Sequence, residues 1–198
     1  LFASMTPAKE VGGDLYDYSI HGNHLYFCLG DVSGKGVPAS LFMTTAINLF
    51  RVASHQQLSP AAIAKQMNET LNENNASCMF VTLFIGRADL LTGQVELCNC
   101  GHNPPVIISG GTPHFIELPF NCPLGIMSDI EFQSKSFDNI IGQSFFLYSD
   151  GLNEAENPLQ EQFGVPQIDA PQPYGIKGTD AWLRAIAKVV GKEKEAEE

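Results

Sequence analysis

Three aspartates in this chain stand among glycines beside short apolar runs. They are Asp14 in Val11-Gly12-Gly13-Asp14-Leu15-Tyr16-Asp17, Asp31 in Leu29-Gly30-Asp31-Val32-Ser33-Gly34-Lys35-Gly36, and Asp150 in Leu147-Tyr148-Ser149-Asp150-Gly151-Leu152. Glycine tolerates positive φ and lets main chain approach closely, so carboxylates set this way at strand ends can converge on one rim of a sheet with main-chain oxygens beside them. Hard divalent cations take that kind of oxygen cage. Taken singly, each Asp reads as a turn cap, a routine role for the residue. Two carboxylates about 4 Å apart repel by roughly 4 kcal/mol at an effective dielectric near 20, so three brought together require a cation.

Other groupings carry less chemistry. Gly30-Asp31-Val32-Ser33-Gly34-Lys35-Gly36 has the outline of a phosphate-binding loop, but three residues rather than four separate Gly30 from Gly34-Lys35. Gly36 stands where a Ser or Thr should meet Mg²⁺, and Asp31 would repel phosphate. Lys35 reads as a solvated surface lysine. Cys98-Asn99-Cys100-Gly101-His102 offers three zinc-type ligands where a closed site needs four, so packing is the better account. His21, His24, His55 and His114 follow no pattern.

The elements that must position the aspartates follow from periodicity. Runs 15–20 and 25–32 flank His21-Gly22-Asn23-His24, whose Gly-Asn pair suits a hairpin turn. Pro38 opens a helix over about 38–53, with Leu41, Phe42, Thr45, Ala46, Leu49 and Phe50 at helical spacing. Ser59-Pro60 is an N-cap with a first-turn proline, and Ile63, Met67 and Leu71 carry a second helix to about Asn74. Strands are predicted over 79–85, 94–100, 105–109, 114–118, 131–137 and 144–149, and a closing amphipathic helix over 179–190. Tight turns between strands imply antiparallel pairing, and adjacent helices imply a helical layer on a sheet, so the reading is a single α+β domain over 1–198.

Hydrophobic residues at 44% and charged residues at 17% exclude a disordered chain. A formal net charge of -11 argues against nucleic acid as a partner and suits divalent cations. Five cysteines, odd in number and without C-x-x-C spacing, point to a reducing, cytoplasmic setting. No stretch reaches the roughly 18 apolar residues of a membrane span, so no membrane contact is expected of this segment. A start at Leu1 and a finish in Lys/Glu-rich sequence read as a piece of something longer, such as the cytoplasmic domain of a sensor.

Six ordered segments carry a resemblance: Gly12-Gly13-Asp14-Leu15-Tyr16-Asp17, Asp31-Val32-Ser33-Gly34-Lys35-Gly36-Val37-Pro38-Ala39, Met79-Phe80-Val81-Thr82-Leu83, Gly101-His102-Asn103-Pro104-Pro105, Pro123-Leu124-Gly125, and Tyr148-Ser149-Asp150-Gly151-Leu152-Asn153-Glu154-Ala155. Together they resemble the SpoIIE/RsbU branch of the PPM, or type-2C-like, serine/threonine protein phosphatases over about residues 2–164. The resemblance implies an antiparallel β-sandwich flanked by helices, with a dinuclear Mn²⁺ or Mg²⁺ centre. Asp31 would bridge both ions, Asp14 and the Val32 carbonyl would serve one and Asp150 the other, with Asp17 structural. It implies direct hydrolysis by activated water, of a phosphoserine or phosphothreonine on a STAS-domain regulator in a sigma-factor pathway. Any homodimer would form through regions outside this segment.

One departure stands against that pattern. Members of the family usually close with an Asp-Asp pair on a last strand, and neither Asp169 nor Asp180 fits that place. The expectation is a domain cut short of its last metal ligand, with one ion weakly held or absent. The competing expectation is a non-catalytic domain that keeps the fold and binds a signalling partner.

Overall fold

A two-residue turn at Gly22-Asn23 closes β1 (Asp14–His21) onto β2 (His24–Val32), with Gly22 at φ 60° in the first central position, where glycine is cheapest. The computed structural model describes residues 12–73, 75–110 and 112–153, together with residues 3 and 5. The ladder runs unbroken from His21↔His24 to Asp14↔Asp31. After β2 come α1 (Val37–His55), α2 (Pro60–Asn72), β3 (Val81–Asp89), β4 (Val95–Cys100), β5 (Val106–Ser109), β6 (Thr112–Phe115), β7 (Lys135–Phe137), β8 (Ser144–Phe146) and α3 (Asp150–Asn153). Contacts group the chain into two units, Leu1–His102 with Glu117–Ile141, and Asn103–Ile116 with Gly142–Glu198.

The first unit is an antiparallel sheet in the order β1-β2-β3-β4-β7 with α1 and α2 against one face. Strand alternation builds its core. Leu15, Tyr26, Cys28, Val32, Val81, Leu83, Ile85, Cys98 and Cys100 meet Ala39, Ala46, Phe50, Ala53, Ile63, Ala64, Met67 and Leu71 of the helices. Asp17, on the same face, pairs with Arg51 of α1 at 2.6 Å. Ser59 caps α2 by accepting from Ala62 N–H at 3.3 Å. Asn68 of α2 and Asn75 hold the Pro123-Leu124-Gly125 loop, whose Leu124 bridges to Val81.

The second unit holds the antiparallel sheet β6-β5-β8 and a small cluster of Val106 and Tyr148 with Ile108, Phe115, Phe146 and Leu152. Burial pushes the Tyr148 phenol well above its usual range. Among the described residues no helix is long and apolar enough to cross a membrane.

Antiparallel sheets with segregated helices make this the α+β class read from the sequence. Several ends differ, for stated reasons. β3 begins at Val81 rather than 79, because Asn75 takes both main-chain groups of Met79 and Ser33 Oγ takes Phe80 N–H. β7 begins at Lys135 rather than 131, because Asn121 takes the N–H and C=O of Gln133. β6 lies at Thr112–Phe115 rather than 114–118, since the Gly110 turn sets Thr112 opposite Ser109. α3 was not expected, and the helix predicted over 179–190 lies outside the described residues.

Candidate metal centre

Asp14 is the first residue of β1 and Asp31 the last but one of β2, directly opposite in register. Side chains opposite each other in an antiparallel pair share a face, and alternation puts both on the face away from α1 and α2. Their carboxylates each offer an oxygen within 4.8 Å of the other. Gly13 lies against them. A Cβ on Gly13 would stand 2.8 Å from the Val32 carbonyl oxygen and 2.9 Å from Asp31 Oδ1, so only glycine fits without displacing either. Val32 N–H donates to Gly13 C=O at 3.2 Å, fixing that approach.

The loop after β2 is tied to Phe80, just ahead of β3, and then reverses into α1. Ser33 N–H donates to Phe80 C=O at 2.8 Å while Ser33 Oγ accepts from Phe80 N–H at 2.9 Å, which ends the strand. Gly34 and Gly36 then take φ 90° and 79°, reversing the chain into α1. Lys35 is exposed in that reversal. Ser40, in the first turn of α1, has its Oγ 3.1 Å from Gly36 C=O and 3.4 Å from Gly12 C=O, which places it beside the residue ahead of β1.

The remaining predicted residues divide. Val32 has a buried side chain and a carbonyl at the Gly13 cradle. Asp150 belongs to the second unit, where it opens α3 rather than ending a strand as expected. The chain needs three residues after β8 before it turns helical, and Leu152 N–H then donates to Ser149 C=O. Cys98 and Cys100 do share a face, Sγ to Sγ 3.7 Å, but the neighbouring Cys98 thiol and burial push Cys100 far up, so Cys100 packs as a neutral thiol. His102 turns its ring to Thr82 instead, Nδ1 to Oγ1 3.0 Å. That link was missed, although both residues stood in quoted motifs. No local signal pairs Thr82 with Asp31, because their register belongs to β2 and β3, which α1 and α2 separate in the chain.

An all-oxygen donor set at a rim held open by glycine fits a hard divalent cation such as Mg²⁺ or Mn²⁺, which neutralises the repulsion between Asp14 and Asp31.

Comparison with known proteins gives the same class. The RsbU and RsbW domains of a Mycobacterium tuberculosis protein superpose with a TM-score of 0.71 at 23% identity, covering 93% of this chain and 47% of that one. RsbX in complex with magnesium superposes at 0.62 with 18% identity, covering 92% and 81%. The fold is therefore that of the PPM phosphatases, as expected. The Stage II sporulation protein E (SpoIIE) family matches residues 21–170, and the chain belongs to that family. Phosphoserine phosphatase RsbU of Bacillus subtilis is 28% identical over 165 residues, covering 81% of this chain. The chain spans 31% to 49% of the length of RsbU and two further curated relatives.

A second family, nitrogenase component 1 type oxidoreductase, matches residues 144–198. The vanadium-iron protein beta chain of nitrogenase from Trichormus variabilis is 52% identical over 116 residues, covering 54% of this chain and 25% of its own. The predicted helix over 179–190 falls where the second family matches and the first does not.

Proposed function

We propose that this chain is the catalytic domain of a metal-dependent serine/threonine protein phosphatase, in which Asp14, Asp31, the Val32 carbonyl and Asp150 hold divalent cations. One observation carries the reading: the Asp14–Asp31 pair, set in register with Gly13 as a cradle too tight for any side chain, in a chain of the SpoIIE family. Bound Mg²⁺ or Mn²⁺ supplies Lewis-acid charge neutralisation and a lowered pKa for water. The chain's own part is positional. The hairpin fixes the spacing of Asp14 and Asp31, Gly13 keeps a side chain off Asp31 Oδ1 and the Val32 carbonyl, and the Ser33–Gly36 turn carries the chain from this strand end into α1. RsbU and RsbP are both named phosphoserine phosphatases, and one structural neighbour comes from the bacterial stressosome. The substrate read for this chain is accordingly a phosphoserine or phosphothreonine on a small STAS-type regulator of a sigma-factor pathway, met in the cytoplasm.

Mn²⁺-dependent release of phosphate from p-nitrophenyl phosphate and from a phosphoserine protein tests this. Asp31→Asn removes one charge and almost no volume, so the variant should fold and its phosphate release should fall to the background without enzyme. Turnover near that of the unaltered chain would overturn the reading. A binding-platform reading is favoured by one feature, that neither Asp169 nor Asp180 fits the place of the family's closing metal ligand. It predicts that the unaltered chain releases no phosphate at any Mn²⁺ concentration.

A further inference from the structure

Thr82 sits opposite Asp31 in the β2–β3 register, so the two side chains are cross-strand neighbours on one face. Its hydroxyl donates to the Asp31 main-chain carbonyl at 3.3 Å and meets His102 Nδ1 at 3.0 Å. A hydroxyl has one proton. With that proton on Asp31, Thr82 Oγ1 accepts from a His102 protonated at Nδ1; with it on His102 Nδ1, the imidazole is the form protonated at Nε2.

The ring is not needed to hold its own loop. Gly101 turns the chain at φ 70°, in a space where a Cβ would lie 2.6 Å from Pro123 Cγ. Asn99 then clamps the His102 main chain from both sides, Oδ1 accepting from its N–H at 2.8 Å and Nδ2 donating to its C=O at 3.0 Å. Asn121 Nδ2 holds the Asn99 carbonyl at 3.1 Å. The backbone is fixed by amides, and the imidazole meets Thr82 through Nδ1.

We propose that His102 is a positioning residue for the metal-ligand strand: through the Thr82 hydroxyl it fixes the peptide unit after Asp31, and so the directions of the Asp31 carboxylate and the Val32 carbonyl. This inference rests on the metal-centre reading above. Groups that orient metal ligands from behind are worth about 10–100-fold in metal affinity when removed.

The test is a set of variants of the full chain read by Mn²⁺ titration, by thermal unfolding and by ¹⁵N NMR of the histidines. Asn places an N–H where Nδ1 stands, so His102→Asn should keep Mn²⁺ affinity within about threefold, while His102→Phe and Thr82→Val should each lose about tenfold or more. Thr82→Ser should behave like the unaltered chain. In the Thr82→Val background, His102→Phe should cost nothing further, since the path is already cut. The His102 resonances should show the Nδ1-protonated form in the unaltered chain and leave it in Thr82→Val.

A purely structural role would lower the melting temperature of His102→Phe and leave its Mn²⁺ affinity unchanged, and that result overturns the proposal. So do independent, multiplying losses in the double variant, or an Nε2-protonated His102 in the unaltered chain. Failure of the metal-centre reading looks different: the unaltered chain itself would bind no Mn²⁺.

Discussion

Gly13 matters for what a side chain there would strike. Gly13→Ala puts a methyl 2.8 Å from the Val32 carbonyl and 2.9 Å from Asp31 Oδ1, and both atoms belong to the proposed ligand set. The variant is expected to lose Mn²⁺ affinity sharply, at a stability cost of about 1–3 kcal/mol for overpacking. Mn²⁺ titration beside urea unfolding separates the two effects, and unchanged affinity would remove Gly13 from the account. Asp14 and Asp31 were legible in the sequence because a two-residue turn at Gly22-Asn23 dictates that they face each other. Thr82 was not, since a Thr in a run of Val, Leu and Phe reads as a β-former, and only the register of a second strand pair gives it Asp31 as neighbour. His102 was read as part of a loop because nothing local distinguishes a ring that points at another strand.

At the scale of elements, helices and hairpins with local signals came out close to expectation, and strands whose ends depend on distant side chains did not. Ser59-Pro60 marks the start of α2 in its own sequence. By contrast, Asn75 and Asn121 trim β3 and β7 from 4 to 12 residues away, and no periodicity records that. The β3–β4 connection shows how a side chain builds a turn. Asp89 Oδ1 accepts from Leu91 N–H at 2.8 Å and from Thr92 N–H at 3.1 Å, and those two donors hold its carboxyl below the usual range. A carboxyl lowered in the folded state contributes stability that is present above its unfolded pKa and lost as pH falls through the folded one. Asp89→Ala is therefore expected to lower the melting temperature near neutral pH, with the gap from the unaltered chain closing in acid. Thermal unfolding across pH 2 to 7 measures it, and a gap that persists in acid would mean the turn is held by other means.

For the whole molecule, the SpoIIE match ends at residue 170 while the chain runs to 198 under a different family's match. A chain ending at residue 170 is expected to keep the Mn²⁺ affinity and phosphate release of the full one. A loss of more than about tenfold on removing 171–198 would show that the nitrogenase-type residues serve the phosphatase site. The sequence reading gave one domain over 1–198, and within it contacts group the residues into two units. The backbone leaves the first unit after His102, returns at Glu117, and leaves again after Ile141. The units are consequently interleaved along the chain. No single stop codon or start site yields one of them alone, and the first unit can be made by itself only by splicing out residues 103–116, rejoining the flanks and ending the chain at Ile141. A deletion scan would read that interleaving as uniform intolerance, hiding a boundary that a circularly permuted library, cut and rejoined, would reveal.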